Sequence, residues 1–150
     1  MPIIAHVNEE IGIRVHNIFG VVTPNDFIEL AKFHRANPRW VKTDLISIVD
    51  VDADVSSVTS QHIAALRDHF RELHEGANFV LIRRHVWVCP NVAGWRLLED
   101  WLDARHSHDG QGTELCLVAS LAAADCLFDQ AEIDAVANLR GFRELMRIAA

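Results

Sequence analysis

Positive charge is in short supply in this chain. Its 150 residues carry 14 Lys and Arg against 21 Asp and Glu, a net charge of −7 with His neutral. That balance argues against a sequence-independent grip on nucleic acid or on an anionic membrane. A local basic patch has its candidates in Arg35, Arg39, Arg83, Arg84 and His85. Cysteine is sparse and odd in number. Cys89, Cys116 and Cys126 lack C-x-x-C spacing, so neither a disulfide frame nor a zinc knuckle is indicated. Cys116, in an apparent strand, and Cys126, among apolar helix residues, read as small core hydrophobes. No apolar run approaches the length of a membrane span. The start, M-P-I-I-A-H-V-N-E-E, has no basic flank followed by a long apolar stretch, so no signal peptide is visible. The expectation is a soluble cytoplasmic protein. G-x-S-x-G, P-loop and G-x-G-x-x-G signatures are all missing, which removes the usual nucleophile and phosphate-cradle motifs. No cofactor is expected.

What remains is an ordinary globular composition, 50% apolar and 23% charged, long enough for one domain with a real core. Ile3 to Val7 is a short apolar stretch closed by Asn8-Glu9-Glu10. Ile11, Ile13, Val15 and Phe19 then alternate with Gly12, Arg14, His16 and Gly20, the period of a strand with one face more buried. The short polar link predicts an antiparallel hairpin. Thr23-Pro24 opens a helix, with Asp26 in its first turn and Phe27, Leu30, Ala31 and His34 on one face. Asn37-Pro38 stops it. Leu45 to Val49 is apolar almost without alternation, the mark of a central strand covered on both sides.

A helix from about Ser60 to His74 follows, ending near Gly76, then a strand at Phe79–Ile82. Pro90-Asn91 starts a third helix, carrying Trp95, Leu98 and Leu102. After a polar loop at His106–Thr113 come a strand at Glu114–Val118 and a short helix capped by Ser120. The tail from Asp129 holds Ile133, Val136, Leu139, Phe142, Leu145 and Met146 at helical spacing. It is therefore expected as a C-terminal helical extension, residues 129–150, of a single domain. Phe142, Leu145 and Met146 suit a seal for the core or a homodimer contact equally. The order β-β-α-β-α-β-α-β-α implies a mixed, mostly parallel sheet with an antiparallel hairpin edge, and helix starts gathered at one end.

That end carries the candidate sites. Asp50, Asp52 and Asp54 form D-x-D-x-D directly after the central strand, an arrangement a metal-dependent phosphohydrolase would use with Arg84 or His85 nearby. The fifth position departs from that pattern, and Val55 and Gln61 depart from a calcium loop, so a solvated acidic loop is the expectation. Ser56, Ser57, Thr59 and Ser60 are candidates for the next helix cap, where a phosphoryl group is also stabilised. His106-x-His108-Asp109 offers metal-ligand chemistry but has no second ligand pair, so no metal is expected. His16 and His85 read as structural histidines. Trp87, placed in a loop before Pro90, and Trp95 are candidates to line a ligand or partner surface.

The hairpin ending G-V-V-T-P-N-D-F, the strand L-I-S-I-V-D with its hydroxyl-rich loop, and the closing strand followed by S-L-A-A-A-D-C-L-F resemble the STAS-like proteins. Within them the pattern is most similar to the SpoIIAA-like branch, over roughly residues 3 to 128. The resemblance implies a four- or five-stranded sheet with helices packed mainly on one face. It also implies a non-catalytic regulatory module that binds a partner protein or a small apolar ligand or lipid. In some such modules a Ser at the helix start after the central strand is phosphorylated; Ser57 lies nearest that position, with Val58 where glycine is expected. The implied surface combines Thr23, the loop Asp50 to Ser57 and His85 to Asn91.

Overall fold

The structure, a computed structural model, describes residues 2–37, 39, 43–75, 84–105 and 114–148. In chain order these form β1 (Ile3–Asn8), β2 (Ile13–Ile18), α1 (Pro24–Ala36), β3 (Asp44–Val49) and α2 (Ser60–Glu75). They continue with β4 (Arg84–Val88), α3 (Val92–Arg105), β5 (Glu114–Val118), a 3-10 segment (Leu121–Cys126), α4 (Gln130–Ala137) and β6 (Arg143–Ile148). All six strands join one sheet in the order β5-β4-β3-β2-β1-β6. β1 and β2 form the expected antiparallel hairpin, with Ile3 opposite Ile18 and Asn8 opposite Ile13. β2 to β5 are parallel, each beside the next.

Handedness explains where the helices lie. Each step from β2 to β5 moves one strand in the same direction, so right-handed crossovers place α1, α2 and α3 on one face. There α1 packs on α2 and α2 on α3. The chain then returns across the whole sheet to β6, beyond β1. A right-handed return in the opposite direction runs beneath the other face, which is where the 3-10 segment and α4 are found. The core accordingly falls into two layers. Ile18, Val22, Leu30, Val49, Trp87 and Leu98 pack under the first helices. Ile13, Val15, Ile46, Val86, Val88, Phe128, Ile133 and Val136 pack on the return side.

Two expectations are corrected. The tail is not helical throughout: α4 ends at Ala137, and Leu139 (φ 48°) and Gly141 (φ 76°) turn the chain into β6, which pairs antiparallel with β1. The spacing of Phe142, Leu145 and Met146 fits a helix, but the reversal at Gly141 puts Phe142 against the return-side core and Met146 against the other. Among the described residues the sheet thus has six strands rather than four or five. As an edge strand, β6 carries Arg143, Glu144 and Arg147, charges that discourage further strand pairing. The second correction concerns β4. The strand residues are Arg84–Val88, so His85 and Trp87 lie within the sheet and not in a loop after it. Phe79–Ile82, Gly76 and the His106–Thr113 loop lie outside the described residues.

Two polar residues tie the layers together. Arg84 donates through Nε to Asp44 (2.9 Å), through both terminal nitrogens to the two Glu132 oxygens (3.0 and 2.9 Å), and to the Leu127 carbonyl (3.1 Å). Its guanidinium also lies 4.3 Å from the Phe128 ring centre. A planar fork suits this bidentate, stacked role and an ammonium does not. Asn8 is the second tie. Its Oδ1 accepts from the Glu10 and Ile11 N–H groups, and its Nδ2 donates to the Arg140 carbonyl at 3.1 Å. It joins the β1–β2 turn to the α4–β6 turn, and a Cβ on Gly141 would meet its Nδ2 at 2.8 Å. Asn8→Ala is therefore expected to lower unfolding free energy by about 1–3 kcal/mol, the net worth of the three hydrogen bonds it removes. Gly141→Ala should also destabilise, through both its φ and the contact with Asn8. Urea denaturation of the two variants beside the parent checks this; unchanged midpoints would contradict it.

Candidate functional site

The parallel strands β2 to β5 point the same way, so the segments after them, and the starts of α1, α2 and α3, gather at one end of the sheet. In open α/β sheets this is where ligands and partners are met. Thr23, at the start of α1, donates from its N–H (2.7 Å) and hydroxyl (3.0 Å) to the buried Asp26 carboxylate. The loop after β3 is pinned to its neighbours. Val22 N–H donates to the Asp54 carbonyl and Asp54 N–H to the Gly20 carbonyl, both at 2.8 Å. Ser57 Oγ donates to the Val22 carbonyl at 3.0 Å. From the other side Asn91 Nδ2 reaches the Ala53 carbonyl (2.9 Å) and the Val51 carbonyl (3.3 Å), while its Oδ1 accepts from Gly94 N–H in the first turn of α3. A Cβ on Gly94 would lie 2.9 Å from the Cys89 sulfur, so this helix start can close on β4 only with glycine there.

Within the loop the acids cap turns. Asp50 accepts from the Asp52 N–H and Asp54 from the Ser56 N–H. The Ser56 hydroxyl and N–H hold the Asp54 carboxyl below its ordinary range. Ser57 does not stand at the start of α2. Thr59 does: its hydroxyl accepts from the His62 N–H, and His62 Nδ1 accepts from the Thr59 N–H at 3.0 Å, a capping box built with histidine. Val58 is buried with Ile63 and Leu66, the hydrophobic staple preceding that cap. The residue standing where the family pattern has glycine thus has a packing role, and Ser57 lies outside the helix turn whose N–H groups would steady a phosphate.

The end exposes three apolar side chains among its acids and hydroxyls. Val21, Val51 and Val92 are 66%, 60% and 71% exposed, and they sit on the segments after β2, after β3 and at the start of α3. Asp50, Asp52 and Asp54 are exposed around them. Helical spacing places Val92 as the first residue of α3, while Val21 and Val51 lie in connections where no repeat operates.

His85 and Trp87 belong to a different place. They lie on the β4 face under α1 to α3, in cross-strand rows that also hold Arg14 and His16 of β2 and Ser47 of β3. Arg14 is 1% exposed and donates from Nε to His16 Nε2 at 3.0 Å, which fixes the proton of a neutral His16 on Nδ1. His34 of α1 stacks on His16 with ring centres 5.6 Å apart. Ser47 Oγ and His85 Nε2 are 3.0 Å apart, and the His85 and Trp87 rings are 5.1 Å apart. Trp87 is itself buried, and its Nε1 has no hydrogen-bond partner among the described residues. A hydroxyl beside an imidazole is the start of a nucleophile and base. Here both are buried beneath the helices, and the pair fills a polar seam in the core. Trp95 sits apart on α3, packed partly on the core with its Nε1 donating to Glu99 at 2.6 Å.

The six sequence-chosen residues beyond Trp95 thus divide: Thr23, Asp50, Ser56 and Ser57 meet at the end of the sheet, while His85 and Trp87 lie inside it. Arg84 stands at the opposite end of the strands from Asp50 and is engaged by Asp44 and Glu132. With about 3.3 Å per strand residue, some 15–20 Å separates it from the acidic loop. Among the described residues no group of three or more His, Cys, Asp or Glu is placed to hold a metal ion.

The buried seam has a pH consequence. Burial first, and then the Arg14 cation, holds the His16 and His34 imidazoles well below their ordinary value of 6.5. Burial also pushes Arg14 down to about 9, leaving it charged at neutral pH. The unfolded chain takes up protons on both histidines as pH falls through 6.5 while the folded chain does not, so stability falls with pH below that value. Each group contributes a limiting slope of about 1.4 kcal/mol per pH unit. Urea denaturation at pH 7.5, 6.5 and 5.5 should show this loss, and His16→Gln and His34→Gln should each flatten it. A pH-independent midpoint in the parent protein would contradict the assignment.

Comparison of the chain with protein-family models, with curated proteins and with solved structures finds no match.

Proposed function

We propose that the protein is a non-catalytic binding module that docks a partner protein on the end of its sheet where the helices begin. The carrying observation is the set of three exposed valines, Val21, Val51 and Val92, on segments locked to one another by backbone and Asn91 hydrogen bonds. Apolar side chains held on rigid turns lose little conformational freedom on binding, so more of their burial appears as affinity. The surrounding Asp50, Asp52 and Asp54 suit a partner with basic residues at its rim, which would raise the association rate and make it salt-sensitive. The STAS-like resemblance leads to the same kind of module. Among the described residues no helix is long and apolar enough to cross a membrane.

The phosphohydrolase alternative draws less support. Asp50 and Asp54 cap turns in their own loop, and Arg84 and His85 are directed to other tasks at a distance.

Partner capture from cells of the source, with the whole chain as bait, tests the proposal. The triple variant Val21→Ser, Val51→Ser, Val92→Ser should keep its circular dichroism and thermal midpoint and bind the captured protein at least roughly tenfold more weakly. Ile11→Ser with Leu139→Ser, at the opposite end of the sheet, should bind as the parent does. Loss of binding in the second variant but not the first would overturn the assignment of the surface.

A further inference from the structure

Cys116 and Cys126 lie on opposite sides of the turn that follows β5, Cys116 in the strand and Cys126 at the end of the 3-10 segment. Their sulfurs are 2.6 Å apart, with Cys126 donating to Cys116. Both are free thiols, Cys126 exposed and Cys116 half-buried. Sulfurs this near need only a small shift to reach the bonded separation of about 2.05 Å. Cys89 is buried away from them and donates to the Asn91 carbonyl at 3.3 Å, so it is not a competing partner.

We propose that Cys116 and Cys126 form a reversible oxidation site, closing to a disulfide under a peroxide oxidant and reopening with a dithiol reductant. With Cys126 donating to Cys116, Cys116 is the attacking sulfur and Cys126 the resolving thiol. The Cys116 thiolate attacks hydrogen peroxide. An S–O bond forms, the O–O bond breaks, and the released hydroxide takes a proton and leaves as water. The Cys126 sulfur then attacks the Cys116 sulfenic acid. The S–S bond forms, the S–O bond breaks, and the second water leaves with the Cys126 proton. Two electrons pass from the thiol pair to one peroxide, and a dithiol returns them by exchange. The bond would fasten the 3-10 segment to β5. That segment contributes Ala124 to the core beneath the sheet and leads to Phe128, on which Arg84 stacks, so the site acts on the return-side layer and is independent of the proposed docking end.

The test treats the whole reduced protein with equimolar hydrogen peroxide, blocks remaining thiols with a maleimide under denaturing conditions, and reads intact mass and non-reducing peptide maps. The expected result is a chain about 2 Da lighter than the reduced form before blocking, one maleimide on Cys89, and a peptide linking Cys116 to Cys126 that dithiothreitol separates. Cys126→Ser should give no cross-link and should carry its oxidation as a sulfenic, sulfinic or sulfonic acid on Cys116. Three maleimides after oxidation, a link involving Cys89, or a link appearing only between two chains would each overturn the proposal.

Discussion

The rule that parallel strands are joined by right-handed crossovers decides most of what this molecule can do. Three steps in one direction put α1, α2 and α3 on one face, and the long return to β6 puts α4 on the other. With both faces covered, the central strands have no solvent side. Arg14 and His16, which alternate with apolar residues as though facing water, are buried instead, and the structure accommodates them with His34, Ser47 and His85 in one polar seam. The same closure leaves the end of the sheet where helices begin as the place at which backbone turns meet solvent, and there the exposed valines are found.

Local signals carried the reading of individual elements well. Thr23-Pro24, the largely apolar Leu45–Val49 run and the Glu114–Val118 strand stand where their residues imply, because capping and strand burial act over a few neighbours. The errors arose where distant partners decide. In β4 the polar pair Arg84-His85 looks like loop, yet Asp44, 40 positions earlier, and Glu132, 48 later, accept the arginine, and Ser47 meets the histidine. In the tail, apolar spacing compatible with a helix was overruled by the turn at Leu139–Gly141 and by pairing with β1.

The candidate site was legible in outline and not in substance. The convergence of Thr23, Asp50, Ser56 and Ser57 follows from topology, and the structure brings them together. Their tasks differ from those expected. Asp50 and Asp54 cap turns, Ser57 ties the loop to Val22, and Thr59 with His62 starts α2. Hydroxyls and acids that suggested chemistry hold the scaffold, while the methyls of Val21, Val51 and Val92 stand exposed. A sequence shows which residues are polar. It does not show which polar groups the fold has already satisfied.

The most direct measurement is methyl NMR of valine-labelled protein in the presence of a neutral, soluble nitroxide. A rigid end with an exposed apolar surface predicts strong broadening of the Val21, Val51 and Val92 methyls and little at Val22, Val55 and Val58, their buried neighbours on the same segments. Equal broadening of both sets would mean that the loops are not held. Protection of the three exposed valines would mean that the surface is covered, and either result would contradict a preformed docking end.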